Sequence, residues 1–320
     1  MERYDGQARQ RVLAAVAQTR ERSGWAVEDT LRALAVAPST YYAWLEKPDG
    51  PDYQAIFSRR KPLIEEIAAV KAYALAHPTD GYRRLTWMML DDDVAALSES
   101  SVYRILRAAG LNGRWARSPE SGALGPLPPT KPDEQWHSDI MYLWVNGRWY
   151  FFVAILDAYS RYIVCWDLLL SMTGADISSV LHRALELTAG AKPRIVHDRG
   201  IQFTGRDFLA IVKAFQLQDI KIRVHHPQSN GIYERFNGST RQEALRDIPL
   251  RDLYHAREVL GSWVEAYNTR RLHSALGFLP PIEYYRGDPQ ARHHERKIKL
   301  KRALERRIHT NQQRQELQVA

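Results

Sequence analysis

Three β-rich runs follow one another between residues 135 and 170, and they limit the possible folds of this chain more than any other feature. They read QWHSDIMYLWV, RWYFFVAILDAYS and RYIVCWDLLL, and the Asn146-Gly147 pair between the first two is a strong hairpin signal. A helix, a strand, a helix and a strand are then predicted in GADISSVLHRALELTAG, RIVHD, RDFLAIVKAFQ and IKIRVHH. A last long helix is predicted to begin near Gly231. Three antiparallel strands followed by alternating helices and strands predict a mixed α/β layer.

The segment RSPESGALGPLPPTKPD at residues 117–133 is rich in proline, glycine and serine, which is typical of an extended linker. It separates helical patterns from the β-rich runs. The predicted organisation is a helix-turn-helix region at 1–47, a second helical region at 53–115, a linker at 116–133, an α/β core at 134–250, a post-core helical segment at 251–290 and a basic tail at 291–320.

The first helical region contains ARQRVLAAVAQTRERSGW, AVEDTLRALAV and, after the turn APST, the segment TYYAWLEK. Two short helices joined by a tight turn, with Ser39 placed to cap the second, fit a helix-turn-helix; a plain helical bundle is the alternative. In the first interpretation the residues near DNA are Thr40, Tyr41 and Lys47. The packing positions then include Leu34, Val36, Tyr42 and Leu45.

The second helical region contains SRRKPLIEEIAAVKAYALAH, GYRRLTWMML and VYRILRAAGL. Ser98 to Ser101 are predicted to supply an N-cap for the last of these helices, and Gly110 to end it. Arg83 and Arg84 lie at the start of the middle helix, where they could contact phosphates or simply face solvent.

Charge is the next constraint, because the formal net charge is +8 and the pI is about 9.5. From Arg292 to Ala320 there are nine basic and three acidic side chains, which gives +6. Such a segment is attracted to a polyanion such as DNA, or it is a solvated, partly helical tail.

No apolar run is long enough to span a membrane, no leader opens the chain, and the single cysteine, Cys165, lies in an apolar run. We therefore expect a cytoplasmic protein with no membrane partner.

Three acidic residues stand out by position: Asp139 within the first strand, Asp198 at the end of the fourth, and Glu234 in the first turns of the late helix, with 35 residues between the last two. Groups at strand ends and at the start of a packing helix can meet at one edge of a sheet. Three carboxylates meeting there repel one another unless a cation neutralises them, and oxygen ligands favour Mg²⁺ or Mn²⁺ over zinc. Two ions ~3.5–4 Å apart would suit phosphodiester chemistry. Taken alone, three acids in this pattern could also be coincidence.

The segments WHSDIMYL, VHDRGIQFTG and HPQSNGIYERFNGSTRQEAL resemble the retroviral-integrase superfamily, and more closely the transposases of bacterial insertion sequences that share its catalytic core. The resemblance covers about residues 134–287. It includes WVEAYNTRRLHSALGFLPPIEYY, which is similar to the block that follows the core in these transposases. GYRRL and the helix-turn-helix resemble their N-terminal DNA-binding regions more loosely.

This resemblance implies a ribonuclease-H-like core, a mixed five-stranded sheet with flanking helices. It implies that Asp139, Asp198 and Glu234 are catalytic and hold two Mg²⁺ or Mn²⁺ ions. The implied activity is that of a DNA transposase, which cuts one strand at the element ends to free a 3′-hydroxyl. That hydroxyl then attacks a phosphodiester of target DNA and joins the element strand to it. Holding two DNA ends at once implies a dimer or a larger homo-oligomer.

Further residues are expected to contact DNA. Arg241 lies seven residues after Glu234, on nearly the same helix face, where it would hold a phosphate unless a neighbouring acid pairs with it. Pro227 to Gly231 are expected to form a mobile turn beside the site, and Asn230, His226 and Gln202 could contact substrate. The block with Tyr267, Asn268, Arg270, Arg271 and His273 is expected to pack the end of the core and touch the DNA backbone.

Asp157 is expected to organise a turn with Ser160 and Arg161 and not to bind metal. For His197, a strand-end hydrogen bond to the backbone is favoured over a role as metal ligand or proton donor. Two other functions are considered: a catalytically inactive relative that only binds DNA, and a ribonuclease-H-like nuclease. The intact set of acids disfavours the first, and the two N-terminal helical regions together with the post-core block disfavour the second.

Overall fold

The computed structural model describes residues 6–46, 59–112, 128–198, 200–221, 231–246 and 248–319. Two compact units are present, one formed by residues 1–113 with 295–320 and the other by residues 114–294. The described helices of the first unit are α1 (Gly6–Ser23), α2 (Val27–Ala33), α3 (Pro38–Glu46), α4 (Ile64–Ala76), α5 (Tyr82–Asp91), α6 (Glu99–Ala108) and most of α13 (Pro289–Val319).

The second unit contains the sheet and its helices. In chain order they are β1 (Gln135–Val145), β2 (Arg148–Asp157), β3 (Ile163–Leu169), α7 (Gly174–Leu187), β4 (Arg194–His197), α8 (Ile201–Thr204), α9 (Arg206–Ala214), β5 (Gln218–Lys221), α10 (Gly231–Ser239), a π-helix (Thr240–Leu245), α11 (Leu253–Thr269), a 3₁₀-helix (Ser274–Leu276) and α12 (Pro281–Tyr285).

The five strands form one mixed sheet in the order β3-β2-β1-β4-β5. β1, β2 and β3 pair antiparallel, whereas β4 pairs parallel with β1 and β5 parallel with β4. The predicted hairpin turn is present, with Asn146 at φ 44° and Gly147 at φ 80°, as a two-residue turn of left-handed residues requires. The predicted ribonuclease-H-like core, a mixed five-stranded sheet with flanking helices, is confirmed.

Side chains alternate between the two faces of the sheet and so divide the core in two. Ile140 belongs to an apolar cluster with Ile177 of α7 and Phe208 of α9; Cys165 is buried in the same cluster. Met141, one residue later, belongs to a second cluster covered by α10 and α11. Because residues two apart on a strand share a face, Asp139 lies on the face of Met141, under α10.

α3 corrects two predictions for the first helical region. The helix begins at Pro38, whose fixed φ suits the first helical position, so Ser39 lies inside the first turn and is not the cap. Tyr41 is 7% exposed and packs with Val16, Leu31 and Val36, whereas Tyr42 is 51% exposed. Packing against α1 and α2 turns Tyr41 inward, which leaves little of its side chain for the predicted DNA contact. Leu34 and Leu45, predicted to pack, are also exposed.

The second helical region forms as predicted. Ser98 is the N-cap of α6 and accepts a hydrogen bond from the Ser101 amide at 3.3 Å. Gly110 follows the helix with φ 69°, the left-handed conformation that ends many helices. Val70, Leu85 and Leu106 join α4, α5 and α6 in one apolar cluster.

The basic segment at the end of the chain is a helix that packs against α4 and α5. Arg296, 3% exposed, holds Asp91 through two hydrogen bonds of 2.9 and 2.5 Å. Arg307, 6% exposed, holds Glu66 through two of 2.8 Å and also donates to the backbone oxygen of Ala96 at 2.8 Å. These two arginines therefore stabilise the first unit. The basic side chains of α13 that stay exposed include Lys297, Lys301, Arg302 and Arg306.

The post-core block also has a structural role. The buried side-chain amide of Asn268 accepts from the Ile163 amide at 2.8 Å and donates to the Ile163 carbonyl at 3.0 Å. It thereby pairs with the backbone of β3, the edge strand, as a neighbouring strand would. Among the described residues, no helix is both long and apolar enough to cross a membrane.

Candidate active site

Asp139 lies in the middle of β1 on the face covered by α10. Its Oδ1 accepts a hydrogen bond from the Ile140 amide at 2.8 Å. The pKa of the Asp139 carboxyl is raised to about 6, first by burial and then by the negative charges of Asp198 and Glu234. The three acids selected from the sequence are therefore close enough for their charges to act on one of them.

Asp198 follows β4, and the strand pairing explains its position. β4 runs parallel to β1 with His137 opposite Val196. Continued by two residues, the same register would place Asp198 opposite Asp139 on the neighbouring strand. The Asp198 carboxylate accepts from the Gly200 amide at 2.9 Å, which holds it at the turn after the strand.

Glu234 reaches the site on α10, and the residue before it docks that helix. Tyr233 is fully buried, and its hydroxyl lies 2.9 Å from the carbonyl oxygen of Asp139 and 3.1 Å from that of Ala154. This contact fixes the first turn of α10 over β1 and β2. Glu234 itself is exposed.

Asn237 completes this neighbourhood one helical turn after Glu234. Its Nδ2 lies 3.5 Å from Oδ2 of Asp139, and its own Oδ1 is buried without a hydrogen-bond partner among the described residues. Sequence reasoning selected neither Tyr233 nor Asn237. The sequence feature that could have identified them is the helical spacing in GIYERFN. Tyr233 and Phe236 face the core, and Glu234 and Asn237 lie beside them.

The donor atoms in this neighbourhood fit a hard divalent cation. They are carboxylate oxygens and one buried amide oxygen that lacks a partner, which is the ligand type that Mg²⁺ and Mn²⁺ prefer. Within the described ranges, however, no group of three histidine, cysteine or acidic side chains is close enough together to hold a metal ion.

Two neighbouring residues behave as predicted. Asp157 accepts from the Ser160 amide at 2.8 Å and the Ser160 hydroxyl at 2.6 Å, and its backbone oxygen accepts from the Arg161 amide at 2.9 Å, so it organises the turn. The His197 ring is hydrogen-bonded to the backbone oxygen of Asp198, as predicted. A second partner of His197, the carboxylate of Asp219 at 2.7 Å, was not predicted.

The predicted DNA-contacting arginines fall into two groups. Arg241 and Arg270 are exposed, and Arg241 makes no ion pair within the described part of the chain. Arg83 is exposed and 3.5 Å from Glu99. Arg84 and Arg271 are held more firmly: Arg84 pairs with Asp80 at 2.7 Å, and Arg271 is hydrogen-bonded to Glu243 at 2.6 and 2.7 Å and to Ser239 at 3.0 Å.

Thr40, Lys47 and Asn230 were also predicted to contact DNA. Thr40 is half-buried on α3, which leaves it partly available. Lys47 and Asn230 lie outside the described residues, as does the predicted mobile turn from Pro227 up to Asn230.

Comparison with known proteins places these features in a family. Models of the integrase core domain match residues 129–228 and 216–281. The chain is 30% identical over 227 residues to the insertion element IS407 uncharacterized 31.7 kDa protein of Burkholderia multivorans, covering 68% of this chain and 80% of that protein. It is 24% identical to the putative transposase InsK for insertion sequence element IS150 of Escherichia coli, covering 82% of this chain and 94% of that protein.

Solved structures with a similar fold include the integrase catalytic core domain of HTLV-2 in complex with magnesium, with 17% identity, a TM-score of 0.40, and coverage of 49% of this chain and 98% of that one. The catalytic domain of Mos1 mariner transposase is similar with 14% identity, a TM-score of 0.37, and coverage of 56% and 82%.

Proposed function

This chain belongs to the insertion-element transposases that carry an integrase core domain, and we propose that it cuts and joins DNA through Asp139, Asp198 and Glu234. The observation that supports this most directly is the Asp139 carboxyl, whose pKa is raised to about 6 partly by the charges of the other two acids. Like charges brought together by separate elements repel one another, and either a bound cation or a proton relieves that repulsion.

The residues that would hold two Mg²⁺ or Mn²⁺ ions are the three acids. When bound, such ions activate an attacking hydroxyl and stabilise the leaving oxygen of a phosphodiester. The chain supplies the frame: Tyr233 keeps α10 on the sheet, and Asn237 orients the Asp139 carboxylate. Since both cutting and joining are in-line phosphoryl transfers, no covalent link between protein and DNA is required.

The substrate in this proposal is double-stranded DNA, both the element ends and the target. Exposed cations favour such a partner. Arg241 follows the active-site helix, where it can hold a phosphate near the cut, and Arg270, Arg83 and the exposed basic side chains of α13 add positive surface. Two DNA ends must be held together for joining, so we propose a homo-oligomer, a dimer or larger.

A strand-transfer assay tests the proposal. The substrate is a labelled duplex with the element's own terminal sequence, incubated with plasmid target and Mg²⁺ or Mn²⁺. Asp198→Asn and Glu234→Gln remove one ligand charge each and are expected to lower cutting and joining at least about 10³-fold, because metal stabilisation of the transition state contributes several kcal/mol. Glu186→Gln, which changes an exposed acid on α7, is the matched control and should keep full activity.

The alternatives give different products. A nuclease of the same fold would cut the duplex and yield no joined molecules. A relative that only binds DNA would retain the duplex in a mobility-shift assay without metal-dependent nicking. Joining at the wild-type rate by Asp198→Asn or Glu234→Gln would contradict the assigned roles.

A further inference from the structure

The buried imidazole of His197 is held from several sides directly beside Asp198. His197 ends β4 and is 0% exposed. Its ring stacks on Phe203, with 4.7 Å between ring centroids, and meets Phe208 edge to face at 5.2 Å. Nδ1 is hydrogen-bonded to the backbone oxygen of Asp198, and Nε2 lies 2.7 Å from Oδ1 of Asp219. With both ring nitrogens engaged and two aromatic rings packed against it, the orientation of the imidazole is fixed.

The first consequence concerns the backbone of Asp198. A hydrogen bond to its carbonyl oxygen fixes the plane of the peptide group that follows Asp198. The amide of Gly200 holds the Asp198 carboxylate from the other side at 2.9 Å. Backbone and side chain of this acid are thus held by two separate hydrogen bonds, and the one from His197 comes from a buried side chain.

The second consequence concerns β5. Asp219 pairs with Ile195 in the parallel register, so the contact with His197 runs diagonally across the two strands. Asp219 also lies 3.6 Å from the Lys221 ammonium group. A chain of polar contacts therefore runs from Lys221 through Asp219 and His197 to Asp198, and it ties the end of β4 to the neighbouring strand.

We propose that His197, held by Asp219, is a positioning residue that presents Asp198 to a divalent cation. A hydrophobic residue of similar size would fill the same space between Phe203 and Phe208, so packing alone does not require histidine here. The polar contacts instead preorganise a ligand for a site whose charges repel one another before the cation arrives. The inference depends on the proposed function, because it assumes that Asp198 binds metal.

The test uses the full chain and Mn²⁺ as the probe. His197→Phe keeps an aromatic ring in the stack and removes both hydrogen bonds. Phe203→Leu is the matched control, since it weakens the stack and leaves the hydrogen bonds of His197 in place. Thermal unfolding is measured without metal and over a Mn²⁺ titration, and cutting rates are measured over the same titration.

For His197→Phe we expect the Mn²⁺ concentration at half-maximal stabilisation to rise at least about tenfold. The cutting rate should need a similar rise in Mn²⁺ and should recover most of its wild-type value at saturation. Phe203→Leu should melt at a lower temperature without metal, yet respond to Mn²⁺ at the wild-type concentration. A purely structural role for His197 predicts that both variants lose melting temperature alike and respond to Mn²⁺ alike, and that result overturns the proposal.

A second variant covers the case in which His197→Phe does not fold. Asp219→Ala removes the partially exposed partner and leaves the ring in its stack, and it should also raise the required Mn²⁺ concentration; an unchanged requirement contradicts the proposal. Wild-type protein that is neither stabilised by Mn²⁺ nor able to cut DNA would instead contradict the proposed function itself. The two failures are therefore distinguishable.

Discussion

Two sets of acidic residues, one in each unit of the molecule, lie in opposite electrostatic environments. In the first unit, Asp91 and Glu66 each receive two hydrogen bonds from a buried arginine of α13. In the second unit, the charge on Asp139 is opposed by those of Asp198 and Glu234, and its neutral neighbour Asn237 is 3.5 Å away. Asp91 and Glu66 are neutralised by arginines of the same chain, whereas the acids of the proposed active site would be neutralised by a bound cation.

The largest effect is expected from breaking a neutralised pair. Arg307→Met leaves Glu66 without its partner in a partly buried place, and removal of one member of a buried ion pair costs roughly 3–5 kcal/mol. The free energy of unfolding should fall by about that amount, and hydrogen exchange should quicken in α4 and α5.

Arg306→Met is the control for this change. Arg306 is the neighbouring arginine on the exposed side of α13, so its replacement should alter stability by less than about 0.5 kcal/mol. Equal effects of the two substitutions would show that the Glu66 pair does not stabilise the first unit.

A smaller effect of opposite sign is expected from relieving the unneutralised acids. Because the folded pKa of Asp139, about 6, lies above the ordinary value of 3.8, this group favours the folded state below pH 3.8, and that contribution is lost as the pH rises through 6. Asp139→Asn should therefore stabilise metal-free protein by up to about 3 kcal/mol at pH 7.5, with the gain vanishing near pH 4.

Asp176→Asn is the matched control, and it should change the stability in the opposite direction. Hydrogen bonds from Ser171 and Thr173 lower the pKa of Asp176, so its removal should weaken the fold at pH 7.5, and the difference should shrink as the pH falls. Denaturant titrations at pH 4 and pH 7.5 in the presence of a chelator measure both. A loss of stability in Asp139→Asn at pH 7.5 would mean that Asp139 is neutralised within the chain after all.

The smallest effect on stability is expected at the cations of α13 that face solvent. Lys297 and Lys301 lie on one side of the helix and Arg302 and Arg306 on another, so we consider two double substitutions to glutamine. Each should change stability by less than about 0.5 kcal/mol. At least one should lower the salt dependence of DNA binding by about two charges, measured as the slope of log affinity against log salt. If neither double substitution changes the slope of log affinity against log salt, these four side chains do not contact DNA.

Local patterns sufficed for most of the fold. The Asn146-Gly147 turn, the Ser98 cap and the Gly110 helix end depend on backbone preferences of a few adjacent residues, and each formed as predicted. Local patterns did not, however, predict which face of α3 is buried. Tyr41 and Tyr42 are adjacent tyrosines, and only contacts with α1 and α2 decide which of them is buried.

The acids of the candidate site could be selected from the sequence, whereas the residues that position them could not. Asp139, Asp198 and Glu234 were selected from their positions together with the resemblance of the segments around them to insertion-sequence transposases. Tyr233 could not be selected, since an aromatic residue on a helix usually means ordinary packing, and its hydroxyl meets a backbone oxygen 94 residues away. The role of the basic tail was hidden for the same reason: Arg296 and Arg307 find their partners 205 and 241 residues away.

The order of the elements along the chain has a consequence for synthesis. α13 completes the first unit, yet the ribosome makes it only after every strand of the sheet. Until then, Glu66 and Asp91 emerge without their arginines, so the first unit reaches its final stability after the second unit can already have folded. A chain that ended at residue 290 would contain all three proposed catalytic acids, but its first unit would lack the stabilising arginines of α13. A protease should therefore cut the helices of the first unit before it cuts the second unit.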